Sequence, residues 1–125
     1  MALPPKIPAT NNLEPGQTQA ASLVQQGISL HQQGSFEEAQ VIYEQILKSQ
    51  PGHFDAMQLL GVLFVQIKKY LEAIELLSKA LEINPNHAGA YSNRGIALKE
   101  LRRFDEALAS YDQAISVNPG YLDAY

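Results

Sequence analysis

The 125-residue chain contains no cysteine. That excludes disulfide staples and thiolate chemistry, and it leaves the redox compartment open. The chain also has no long hydrophobic run, and no window reaches the roughly 18 apolar residues of a membrane span. The opening stretch, MALPPKIPATNNLEPGQ, has a single lysine and no apolar core, so it is not a secretory signal. Positive charge is scarce: nine Lys and Arg against 13 Asp and Glu give a net charge of −4. A phosphate-binding domain normally carries a cationic surplus. Neither nucleic acid nor a membrane is expected as a partner, and the default compartment is cytoplasmic.

What is present is a period. Apolar residues make up 46% and charged residues 18%, enough for one folded domain. Three stretches, KSQPGH, EINPNH and SVNPGY, look like one event repeated, and Pro51, Pro85 and Pro119 within them are 34 residues apart. Gly27, Gly61 and Gly95 keep the same spacing, as do Ala39, Ala73 and Ala107, and Glu38, Glu72 and Glu106. Phe36, Tyr70 and Phe104 keep step. Three units align without a gap, at 20–53, 54–87 and 88–121. A fixed period held by several residue types at once marks a repeat array.

Each unit divides into two helical halves. Tyr70, Ala73, Ile74, Leu77, Ala80 and Leu81 form one apolar stripe at helical spacing. Glu72, Glu75, Lys79 and Glu82 occupy the other side, with Glu75 and Lys79 one turn apart and able to pair. Phe104, Ala107, Leu108, Tyr111, Ala114 and Ile115 repeat the stripe. In the first half of the middle unit, the stripe Phe54, Met57, Leu60, Gly61, Phe64 and Ile67 is joined by Leu59, Val62, Leu63 and Val65. That helix is too apolar for one wet face and is expected to pack on several sides. A glycine inside a helix costs about 1 kcal/mol against alanine, so a glycine kept at one repeat position implies close helix approach there. Short turns, QGS, KKY and RRF, imply antiparallel neighbours. Expected helices run over about 18–33, 36–49, 53–67, 70–83, 87–101 and 104–117. Ser35 with Glu38 fits a capping box. At the joints, proline ends one helix, and Asn86 is expected to cap the next, with Gly52 and Gly120 in its place elsewhere.

This pattern resembles the tetratricopeptide repeat, whose period is also 34 residues. The third unit matches as YSNRGIAL, FDEALASYDQA and NP, the second as MQLLGVLF, YLEAIELLSKA and NP, and the first more loosely as LVQQGISL, FEEAQVIYEQI and QP. Departures fall at Ile46, where the family has a small alanine, and at Gln26 and Arg94, where it has leucine. The resemblance implies an all-α, right-handed solenoid of antiparallel helix pairs, with the first helix of each pair (helix A) lining a concave groove and the second (helix B) behind it. Residues 1–16, with Pro4, Pro5, Pro8 and Pro15, are expected to form an extended leader. The array is expected over 17–121, and 122–125 look like the start of a fourth, truncated repeat.

No catalytic constellation is apparent, and no cofactor is called for. His53 and His87 lie one period apart, each two residues after a proline, but neither has a second ligand at metal-binding spacing. They are read as polar residues at a helix start. Glu37, Glu38, Asp105 and Glu106 fall in first turns of B helices, and Lys68, Lys69, Lys99, Arg102 and Arg103 near the ends of A helices, where the helix dipole favours those signs. No phosphate loop or Ser/His/Asp set is present. The segment is therefore expected to be non-catalytic.

The resemblance assigns groove-facing positions. Those taken as the candidate peptide site are Val24, Ile28, His31, Gln58, Val62, Val65, Gln66, Ser92, Ile96 and Lys99. Some relatives clamp the acidic tails of chaperones with Lys, Asn and Arg. Here the clamp positions hold Val24, Ile28, Leu59, Gly89 and Asn93, so that ligand class is not expected. The expected function is a protein-interaction scaffold holding a peptide or helix on the apolar strip Val24, Ile28, Val62, Val65 and Ile96. The alternative is the docking arm of a larger enzyme, such as a bacterial glycosyltransferase of the O-linked N-acetylglucosamine transferase type. Leu3 and Ile7 of the leader, or a second copy of the chain meeting an uncapped C-terminal end, are further candidates for contact.

Overall fold

The computed structural model describes residues 15–120, as six helices and, within that range, no strand. They are α1 (Pro15–Gln32), α2 (Phe36–Ser49), α3 (Phe54–Gln66), α4 (Tyr70–Ile83), α5 (Ala88–Glu100) and α6 (Phe104–Val117). The leader contacts expected of Leu3 and Ile7, the last residue of the expected array and the repeat start expected over 122–125 lie outside the described residues. The three B helices (α2, α4, α6) begin and end at the expected residues. Helix α1 starts earlier than expected, at Pro15, so residues 15 and 16 are helical and not part of an extended leader. Proline at a first helical position supplies the right φ and lacks only an N–H that would have no intrahelical partner.

The turn inside each repeat is one motif used three times. Ser35 N–H donates to Leu30 O, Lys69 N–H to Phe64 O and Arg103 N–H to Leu98 O, while the residue before each donates to the carbonyl three back. This is the Schellman closure, which requires a left-handed residue just past the helix end. Gly34, Lys68 and Arg102 fill that place with φ of 82°, 67° and 61°. The closure also removes the expected capping box. The Ser35 N–H already serves Leu30, so Glu38 has nothing to reach back to, and the Ser35 side chain makes no cap bond.

The joints between repeats are capped by histidine, not by Asn86. His53 Nδ1 accepts from Ala56 N–H at 3.2 Å and His87 Nδ1 from Ala90 N–H at 3.0 Å. The helix start falls one residue beyond the expected place because Asn84 Oδ1 takes the Asn86 N–H (3.1 Å), folding Pro85 and Asn86 into a turn. His87 then has the extended backbone a cap needs, φ −103° and ψ 98°. The ring of His87 lies 5.3 Å from that of Phe54, tying one joint to the next.

Each helix packs on its sequence neighbours, and α3 also touches α1 and α5, so the A helices (α1, α3, α5) form a continuous layer. No corresponding contact joins α2 to α4 or α4 to α6 among the described residues. The array therefore curves with its A helices on the inside. As expected from its composition, α3 packs on several sides, with Leu60, Leu63 and Phe64 buried. The main core gathers Ala39, Tyr43, Leu63, Ala73, Leu77, Ala90 and Ala97. The Glu75–Lys79 pair forms at 3.2 Å on the exposed side of α4.

The repeated glycines mark the closest approach of A to B. A Cβ built at Gly27 would lie 2.5 Å from the Tyr43 ring, at Gly61 2.7 Å from Leu77 and at Gly95 2.6 Å from the Tyr111 ring. Gly61→Ala gains about 1 kcal/mol of helix propensity but overfills the site, which costs about 1–3 kcal/mol. Leu77 is fully buried and has no room to retreat, so thermal denaturation should show a net loss for Gly61→Ala. Gly95→Ala should cost less than Gly61→Ala, because Tyr111 is only half-buried and has more room to shift than Leu77. Lys68→Gly should raise stability by about 0.5–1 kcal/mol, since a left-handed L-residue costs more than the entropy of a glycine. Gly34→Lys should lower stability by a similar amount in the same assay.

Candidate peptide groove

Neighbouring positions on one A helix point to different places, which defines the groove. Gly61 faces α4 through Leu77. Leu60, one residue earlier, borders the open groove between α2 and α4 on the outer face. Val62 is two residues on from Leu60, about 200° around the helix at 3.6 residues per turn, and so lies on the inner face. The same relation places Ile96 opposite Arg94. Val62 and Ile96 are half-buried, and neither belongs to a buried cluster among the described residues.

Two of the expected groove residues are not available. Val24 is only 7% exposed and packs with Ala20, Ile46 and Ala56. Ile46, which stands where the later units have Ala80 and Ala114, belongs to the same buried cluster. Ser92 is 2% exposed, too short to reach past the helices around it. The apolar strip is therefore Ile28, Val62, Val65 and Ile96, with Ile28 resting on the first-repeat cluster and Val65 on the main core. Gln58 is half-buried, while Gln66 and Lys99 are exposed.

At one end of the strip the side chains form a connected pocket. The Tyr43 hydroxyl lies 3.3 Å from His31 Nδ1, and His31 Nε2 is hydrogen-bonded to Gln66 Oε1. The tautomer that serves both bonds has Tyr43 donating to Nδ1 and Nε2–H donating to the amide. The chain of bonds runs from α2 through α1 to α3 and fixes the His31 ring, which also meets Phe36 edge-on at 5.6 Å. Burial pushes the Tyr43 phenol up to about 12, so it remains a donor throughout the ordinary pH range. Ile28, Leu59 and Phe36 supply the apolar wall. Sequence reasoning placed His31 and Gln66 in the groove separately. Their bond, and the contributions of Phe36, Tyr43 and Leu59, depend on helices brought together by folding. Asn93, the one polar side chain at the clamp positions, donates to Gly89 O at 2.8 Å within its own helix.

Val24→Ala should lower stability by about 1–3 kcal/mol, as for a buried aliphatic side chain. Val62→Ala should cost well under half of that in the same urea titration. Equal losses would place both residues in the core.

Among the described residues no helix is long and apolar enough to cross a membrane. None of the curated proteins matches the chain. Several solved structures do. An O-GlcNAc transferase from Thermobaculum terrenum is 21% identical, with a TM-score of 0.83 over 87% of this chain. The first TPR domain of Spaghetti (RPAP3), solved with an HSP90 peptide, is 24% identical, with a TM-score of 0.82, and the match covers 86% of this chain and 85% of that one. At those identities the likeness is one of fold alone. MamA of strain AMB-1 is 31% identical over 80% of this chain, with a TM-score of 0.75. The chain spans 21% of the length of the transferase and 59% of that of MamA. Two family models described as tetratricopeptide repeat match residues 30–93 and 88–121. With the periodic glycines packed on their partner helices and the joints recurring in register, the chain belongs to the tetratricopeptide-repeat family and has the fold of a protein-interaction scaffold.

Proposed function

We propose that the inner face of the A helices binds a peptide, as an extended segment or an amphipathic helix, and that the segment acts as a non-catalytic scaffold. The observation that carries this reading is the pair Val62 and Ile96. They are apolar, half-exposed, one period apart, and outside every buried cluster among the described residues. Ile28 and Val65 extend the strip, and an apolar strip held on rigid helices suits the alternating or i, i+3, i+4 anchors of a bound peptide. Gln58, Gln66 and Lys99 border it with polar groups that fix register without demanding an acidic ligand. The His31–Gln66 bond keeps one end of the groove at constant width.

The clamp positions support an apolar ligand over an acidic tail. Val24 is buried, Ile28 and Leu59 are aliphatic, Gly89 offers no side chain, and the Asn93 amide is engaged with Gly89 O. A peptide library displayed on phage and selected on the chain should yield sequences with regularly spaced apolar residues. Val62→Asp should lose these peptides while keeping its helicity and Tm nearly unchanged. If Val62→Asp unfolds the chain as readily as a core substitution, or keeps the selected peptides, the groove is not the site.

A further inference from the structure

The outer face holds two grooves that repeat the same five positions with a change of charge. Between α2 and α4, Leu60 and Leu76 form the floor, and Glu44, Glu72 and Glu75 stand around it. One period later, between α4 and α6, those positions hold Arg94, Ser110, Ser78, Glu106 and Ala109. A cation has replaced a buried leucine. At the same time two of the three surrounding carboxylates have become serine and alanine.

A half-buried arginine kept only for structure is expected to gain an anionic partner, because an uncompensated charge out of water is costly. Arg94 has the reverse. Its Nε donates to Ser110 Oγ and its Nη1 to Ser78 Oγ, each at 3.2 Å. Ser110 Oγ in turn donates to Tyr91 O at 2.7 Å. The guanidinium carbon lies 5.4 Å from the centre of the Tyr91 ring. These neutral groups hold the guanidinium plane in place without cancelling its charge. Among the described residues the ion pairs are Glu75–Lys79 and Arg103–Glu106, and Arg94 is in neither. The nearby Glu106 carboxylate is engaged by Arg103, which itself borders the groove. Burial lowers the Arg94 pKa, with Tyr91 and Glu106 opposing the shift, in keeping with a cation that lacks a full partner.

We propose that the groove between α4 and α6 is an oxyanion site, in which Arg94 makes a bidentate contact with a carboxylate or a phosphate. A guanidinium fork whose orientation is already fixed loses little freedom on binding and matches both groups. The Arg103–Glu106 pair borders the rim without adding net charge, so Arg94 is the cation the site depends on, and Ile74 and Leu98 offer apolar contact beside the anion. This site lies across α5 from Ile96 and is independent of the peptide groove.

The test follows the Arg94 Nε–H signal of the isotope-labelled chain by NMR at low salt. Inorganic phosphate is titrated in one arm and acetyl-glutamate-amide in the other, with sodium chloride at matched ionic strength as reference. A saturable shift at low-millimolar probe, absent with chloride, supports the site. Response to phosphate alone assigns it to phosphate-bearing ligands, response to glutamate alone to acidic side chains, and response to both leaves it general for oxyanions. Arg94→Leu restores the residue type of Leu60 and should stay folded, and the backbone signals of Ser78 and Ser110 should then ignore both probes. Arg94→Lys keeps the charge but loses the fork, and should bind at least tenfold more weakly. The proposal is overturned if neither probe gives a shift beyond that of chloride, or if Arg94→Leu binds either probe as well as the wild-type chain.

Discussion

The close approach of helix A to helix B at the repeated glycine is the constraint on which the rest depends. With no Cβ at Gly27, Gly61 or Gly95, a large side chain of the partner helix lies directly on the backbone. That contact fixes both the spacing of each pair and the rotation of its A helix. Once the glycine faces inward to its partner, the residue before it must border the outer face and the residue after it the inner face. The chemistry of the two surfaces is therefore decided by which residues flank a glycine: Leu60 and Val62 in the second repeat, Arg94 and Ile96 in the third.

The two faces have taken different characters. On the inner face the A helices touch one another, so partly covered aliphatic side chains line a continuous surface, interrupted where Val24 lies in the core beside Ala20, Ile46 and Ala56. On the outer face the B helices stand apart, and what lies between them is set by single residues. The first outer groove is floored by leucines under carboxylates. The second holds an arginine steadied by serines. One scaffold thus supports an apolar surface and a charged cleft on opposite sides of the same helix.

Much of the architecture was legible in the sequence, and the parts that were not have identifiable causes. The B helices match the expectation to the residue because the joint prolines and the short turns QGS, KKY and RRF bracket them, and both are local events. The several-sided packing of α3 followed from its excess of apolar residues. The start of α1 differs from the expectation because Pro15 occupies the first helical position, which tolerates a proline that would break a helix further in. The caps failed for a different reason. Whether Ser35 or Asn86 can serve depends on where backbone N–H groups are already committed, to Leu30 O and Asn84 Oδ1 respectively. The burial of Val24 involves Ala56 of the next repeat, and the bond from His31 to Gln66 likewise joins two repeats. Arg94 stood out in the sequence only as a misplaced leucine. Its setting of serines comes from α4 and α6, and no local pattern brings those together.

The unequal contacts of the two faces bear on how the array deforms. Side chains already in contact resist compression, so bending the array further closed meets resistance along the line of A helices, which therefore acts as the hinge. Among the described residues the B helices approach only their A neighbours, so they are the elements that move through the widest arc. Any change of curvature is expressed first as a change in the width of the outer clefts, while the distances along the inner face stay nearly constant. The inner surface is in this sense the ruler of the molecule, and the outer clefts are its gauge.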